Sequence, residues 1–168
     1  MGRSSRSLVT DIALGAVAGA AATWVMGRAT TALYEHENSV ARKREDDARA
    51  GRQAYNVAAE KTARVFGRNL TPRESDVFGN MIHWGLGAGI GALYGALRQR
   101  VPSANAGIGT LFGTAFWLAI DEGANTALGL TPAPTEFPWQ AHARGLAGHL
   151  VYGLVAEATL QVTDRILH

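Results

Sequence analysis

Residues 77–97 read Val-Phe-Gly-Asn-Met-Ile-His-Trp-Gly-Leu-Gly-Ala-Gly-Ile-Gly-Ala-Leu-Tyr-Gly-Ala-Leu, and His83 is the one side chain among them able to carry a charge. A helix on the surface of a soluble bundle shows charged residues along its outer face, and this run shows none. Gly87, Gly91 and Gly95 recur every four residues, which leaves one helical face without side chains. Such a ridge lets backbones meet closely where lipid supplies no hydrophobic drive for association. The length covers roughly 30 Å as a helix, the thickness of the hydrocarbon core. Thr71-Pro72-Arg73-Glu74 signals the start, with a capping Thr, Pro at the first helical position and Glu three residues after the cap. Arg98, Arg100 and Pro102 close it. The run is read as a membrane-crossing helix over about 77–97, with a soluble Ala/Gly-rich bundle as the alternative.

Three further runs share this character. The first spans about 8–30, has Arg3 and Arg6 before it, and carries Gly15 and Gly19 four apart. A secretory signal cleaved near Ala20-Ala21-Ala22 fits the same pattern; the reading adopted is a first membrane helix. Another covers about 104–130, with Gly109 and Gly113 four apart and no charge from Ala104 to Ile120; then comes Asp121-Glu122-Gly123-Ala124-Asn125. The last covers about 143–163, where His149, Gly153 and Glu157 fall on one face that should look inward. Pro132, Pro134 and Pro138 keep the stretch before it irregular, and Phe137 and Trp139 suit a headgroup-level loop.

Residues 35–70 differ. Arg42-Lys43-Arg44 is followed at once by Glu45-Asp46-Asp47, then by a weak apolar face of Tyr55, Ala58, Ala59, Thr62, Ala63 and Phe66. This is a charged helical connection, ended by Gly67. It is either simply solvated, or it lies on lipid or grips a protein partner through residues 40–66. The predicted fold class is therefore all-α: a polytopic membrane domain over 1–168, a bundle of four transmembrane helices with that connection between the first and second. The glycine ridges suggest a homo-oligomer. Five of the 16 Lys and Arg fall on the side of the termini and the rest on the other, which puts the connection in the cytoplasm.

Composition excludes several classes. A net charge of +2, with bases interleaved among acids, gives no footprint for nucleic acid. With no cysteine, disulfides, thiolate metal sites and cysteine nucleophiles are absent. The mean hydropathy of -0.01 looks soluble only because it averages charged and charge-free segments. No GxSxG, phosphate loop or metal-hydrolase spacing occurs, so no enzyme and no catalytic residue is expected.

Ionisable groups inside a membrane are costly and mark function. Counted from the side of the connection, His83, Asp121, Glu122 and His149 fall at similar depth, with Asn125 one turn beyond Asp121 on the same face. Three readings compete for this layer: a proton or ion pathway, a haem or divalent metal held by His83 and His149, or a hydrogen-bond network that only fixes helix register. No HxxxH or CxxCH spacing supports the metal, and the expected cofactor list is empty. His142, near the proline-rich loop, reads as an interfacial residue rather than a ligand. Glu157 stands deeper, either protonated or paired with Tyr94 or with another subunit.

Gly67-Arg68-Asn69-Leu70, His83-Trp84, Gly91-Ala92-Leu93-Tyr94-Gly95, Trp117 with Asp121-Glu122, Leu128-Gly129-Leu130-Thr131-Pro132 and His149-Leu150-Val151-Tyr152-Gly153 resemble the YagU-like family of bacterial inner-membrane proteins. The likeness covers about the last 100 residues. It implies a small multi-pass inner-membrane protein with no established reaction and a place in envelope or acid-stress physiology. It carries over no catalytic residue. Two functions remain as expectations: transport or proton handling through the polar layer, or a non-catalytic adaptor working through the charged connection.

Overall fold

The computed structural model describes residues 7–101 and 103–167; Arg3, Arg6 and Pro102, named above, lie outside them. Every regular element among the described residues is helical. They are α1 (Leu8–Glu35), α2 (Ser39–Arg49), α3 (Ala54–Val65), α4 (Pro72–Arg98), α5 (Thr110–Trp117), a π-helical turn (Leu118–Ala124), α6 (Asn125–Ala127), a 3-10 turn (Pro134–Glu136) and α7 (Trp139–Ile166).

α1 is the central helix and packs on both α4 and α7. Its buried residues, Asp11, Gly15, Ala18, Gly19, Ala22 and Thr23, follow helical spacing along one stripe. Gly15 and Gly19 lie directly on Gly87, Gly91 and Gly95: a Cβ on Gly19 would come within 2.7 Å of the Gly91 Cα. A second seam joins α5 to α7, where a Cβ on Gly113 would lie 3.0 Å from the His149 carbonyl carbon and one on Gly109 would strike Gly153. Both ridges are thus consumed within one chain. The glycine faces expected to join copies of the chain are therefore already covered within it.

The third run does not start as a helix near 104. Residues 103–109 form turns, and Gly107, Ile108 and Gly109 take φ of +61°, +59° and +85°, so regular helix begins at Thr110. Gly109 in this conformation brings the chain against the Gly153 carbonyl. Ile108 bears a left-handed conformation that is unfavourable for a branched side chain by roughly 1–2 kcal/mol.

The charged connection is two helices folded back onto the bundle. α3 runs antiparallel along α4, with Asn56 bonded to Asp76 at 2.7 Å and the Ser75 hydroxyl donating to Glu60 at 2.9 Å. α3 ends in a Schellman turn: Arg68 N–H bonds the Ala63 carbonyl, Gly67 N–H bonds Arg64, and Gly67 has φ +70°. The Thr71–Glu74 capping box then starts α4. α2 is held by Arg144 of α7, whose guanidinium bridges Glu37 and the fully buried Glu45 and lies 5.0 Å over the Tyr34 ring. Phe66, expected on the apolar face of α3, is 77% exposed instead.

Side chains are sorted in an unusual way. Among the described residues Leu160 is the one large aliphatic side chain that is buried; the rest are Gly, Ala, Tyr94 and Tyr152, with Asp11, Thr23, Glu45, Ser75, His149 and Glu157. Large apolar groups instead lie outside along the long helices, among them Val17, Trp24, Met81, Trp84, Leu93 and Leu154. Among the described residues one helix, α1, is long and apolar enough to cross a membrane. The three other segments read as spans do not meet that measure. Glycine, Asn80, His83 and Tyr94 dilute α4, a π-helical turn interrupts the third run, and Glu157, Gln161 and Asp164 lie in α7.

Candidate functional site

A cavity of about 300 Å³ lies where α3, α4, the π-helical turn, the proline-rich loop and the start of α7 converge. His83, Asp121, Glu122 and Asn125 all line it, so one surface gathers four of the residues expected in the polar layer. The π-helical turn is what presents the acids. Such turns are rare and occur mostly as functional bulges, and this one carries Asp121 and Glu122 side by side at the wall. Gly145 lets the turn approach α7, because a Cβ there would sit 3.0 Å from Trp117 Nε1 and 3.5 Å from Asp121 Oδ2.

The two carboxylates face two histidines of α7 spaced two turns apart. Glu122 Oε1 is 2.7 Å from His142 Nδ1, and the other ring nitrogen, Nε2, donates to the Pro134 carbonyl at 3.0 Å. His142, read from the sequence as an interfacial residue beside the loop, is thus also part of the cavity wall. Its single backbone bond also ties the loop to α7. Asp121 Oδ2 lies 3.7 Å from His149 Nδ1, too far for a bond, and that nitrogen donates to the Gly145 carbonyl at 2.9 Å. The ring of His149 stands edge-on to Phe116, and His83 lies against Tyr55 with ring centres 5.3 Å apart. Among the described residues there is no group of three or more ligating side chains that could hold a metal ion, so the haem or metal reading gains no cluster to build on.

Glu157 belongs to a separate network at the opposite end of the bundle. Arg98 grips it with two bonds of 2.8 and 2.9 Å and reaches Asp164 at 2.8 Å, while Tyr94 donates at 2.6 Å and Gln161 at 2.9 Å. The predicted Tyr94 pairing is present in the same chain, with Arg98 added. Every oxygen of Glu157 is bonded, which is the arrangement a buried carboxylate needs.

The connection supplies walls that sequence reasoning missed. Arg49, Gln53, Tyr55 and Ala58 all line the cavity. Arg49 is committed elsewhere: its terminal nitrogens reach Glu45 at 2.7 Å and Gln53 at 3.0 Å, and its guanidinium lies 5.6 Å over Phe137. Its Nε and the Trp117 Nε1 are buried donors without a partner among the described residues. The apolar face containing Tyr55 and Ala58 was the available signal for α3; nothing local marked Arg49 or Trp117. Outside the bundle, the Ser75 hydroxyl, helped by Arg52 and Arg64, holds the Glu60 carboxyl below the usual carboxylate range.

Fold and site together define an all-helical bundle with a cavity at one end lined by carboxylates and imidazoles. The chain belongs to the DUF1440 family of proteins of unknown function, whose model matches residues 57–158. That stretch runs from α3 into α7 and holds His83, Asp121, Glu122, Asn125, His142, His149 and Glu157. No curated protein and no solved structure matches the chain.

Proposed function

We propose that this is a small multi-pass protein of a bacterial inner membrane that handles protons or small ions through the cavity beside α3. The observation that carries the reading is the inverted sorting of side chains, with ionisable and small residues inside and large apolar ones outside. Water is a poor solvent for such an exterior, whereas lipid leaves packing and internal hydrogen bonds to hold helices together. On this reading α4, α7 and the run from α5 to α6 join α1 as spans. The YagU-like resemblance supports the bacterial address. Carboxylates facing imidazoles at one depth support the proton-handling role, since both can exchange protons inside a membrane protein.

The test is reconstitution of purified protein in liposomes under a pH gradient. The expected result is a proton flux that Asp121→Asn or Glu122→Gln abolishes. Absence of flux from the unaltered protein overturns the transport reading. One observation favours the adaptor: Val65 and Phe66 at the end of α3 are 82% and 77% exposed on the connection. Loss of a co-purifying protein on deleting residues 40–66, in the absence of flux, would support that role.

A further inference from the structure

We infer that the cavity binds a small organic cation carrying an ammonium group, with Asp121 as its counter-ion. This rests on the function proposed above and names what that cavity takes. Among the inward carboxylates, Glu157 is fully bonded, Glu45 is held by Arg49 and Arg144, and Glu122 faces His142. Asp121 accepts no hydrogen bond from any described residue: the imidazole it faces, His149, has its Nδ1 3.7 Å away and donating to the Gly145 carbonyl. The Asp121 side chain is 38% exposed and lines the cavity, so a carboxylate without a protein donor is presented to whatever enters. The terminal nitrogens of Arg49 are directed to Glu45 and Gln53 rather than to Asp121.

The surroundings select the class of ligand. Asp121 on the wall disfavours an anion, and the Arg49 guanidinium there is already paired with Glu45. A metal ion needs several ligating groups at once, and no group of three occurs among the described residues. The rings of Tyr55, Trp117 and Phe137 also line the space, and aromatic faces attract ammonium groups. Ile82 and Leu86 of α4 supply apolar wall for a hydrocarbon stem. The volume of about 300 Å³ is at the lower end for ligand pockets and suits a molecule of about ten non-hydrogen atoms.

Calorimetric titration of the full chain in detergent with benzylammonium tests this, with benzyl alcohol and benzoate as neutral and anionic comparators. The expected result is saturable binding of benzylammonium alone, weakened at least tenfold by Asp121→Asn. A second variant, Ala58→Leu on α3, fills the cavity without touching the charge and is expected to weaken binding as much. Equal binding to the unaltered protein and Asp121→Asn, insensitivity to Ala58→Leu, a preference for either comparator, or no binding at all overturns the inference. Proton flux in liposomes without benzylammonium binding removes this inference and leaves the proposed function. Binding without flux does the reverse.

Discussion

Between Glu122 Oε1 and His142 Nδ1, 2.7 Å apart, one proton must lie, because Nε2 already spends its own on the Pro134 carbonyl. Whichever partner holds it, the pair is neutral as a unit, which suits a low-dielectric setting. Asp121 has no such arrangement: His149 Nδ1 is 3.7 Å away, so of the two adjacent acids one is held by a hydrogen bond and the other is not. Glu60, outside the bundle, shows the structural case in a form that is simple to measure. Its carboxyl sits below the usual range because the Ser75 hydroxyl donates to it, with Arg52 and Arg64 nearby. A folded value below the unfolded one of about 4.3 gives stability that is present above that value and lost as pH falls through the folded one. Glu60→Gln should therefore lower thermal stability at pH 7 by about 1 kcal/mol, and the two proteins should converge below about pH 4. Melting curves across that range check both the sign and the window.

At the scale of elements, the glycine spacing was plain in the sequence because a four-residue repeat survives any alignment of helix faces. What the repeat could not say is which surface it meets, and the partner is α1 of the same chain rather than a second copy. A Cβ on Gly91 would lie 2.7 Å from the Gly19 nitrogen, whereas one on Gly89 would meet nothing within 4 Å. Gly91→Ala should cost about 1–3 kcal/mol through forced separation of the helices. Gly89→Ala, on the open face, should be neutral or stabilising by about 0.5–1 kcal/mol. Thermal unfolding of the two variants in one detergent gives the comparison, and equal losses would mean that α1 and α4 do not meet at this seam. The π-helical turn was illegible for a different reason. The turn lies against α7 at Gly145, a contact between distant residues, and no residue in Leu118–Ala124 prefers the wider backbone locally. A regular 3.6-residue helix was the natural reading of that stretch, which is why the sequence placed the acids at a depth but not against His142.

The whole molecule is unequal at its two ends. At one, the amino-terminal part of α1 meets the carboxy-terminal parts of α4 and α7, and Arg100 holds Asp11 at 2.9 Å while Arg98 ties Glu157 to Asp164. At the other, the cavity lies beneath α2, α3 and the proline-rich loop. The all-helical class was legible from the long glycine-spaced runs and the Thr71–Glu74 cap; the roof was not, since the salt bridges holding α2 join residues about a hundred positions apart, as in Glu45 with Arg144. An asymmetric bundle makes a prediction about access. The chain has no cysteine, so a single engineered thiol reports one position with no background. In sealed vesicles, Asn125→Cys in the cavity should react with a membrane-impermeant maleimide from the same side as Lys61→Cys on the connection. Ser103→Cys, exposed at the opposite end, should react only from the other side. On the membrane reading proposed above, with the connection on the cytoplasmic side as the positive charge count would have it, inverted vesicles should label the first two and right-side-out vesicles the third. Labelling of all three from one side would remove the membrane from between them. Labelling of Asn125→Cys from the Ser103 side would mean that the Arg98 network leaves a path open, and the cavity would then have to be treated as a pore.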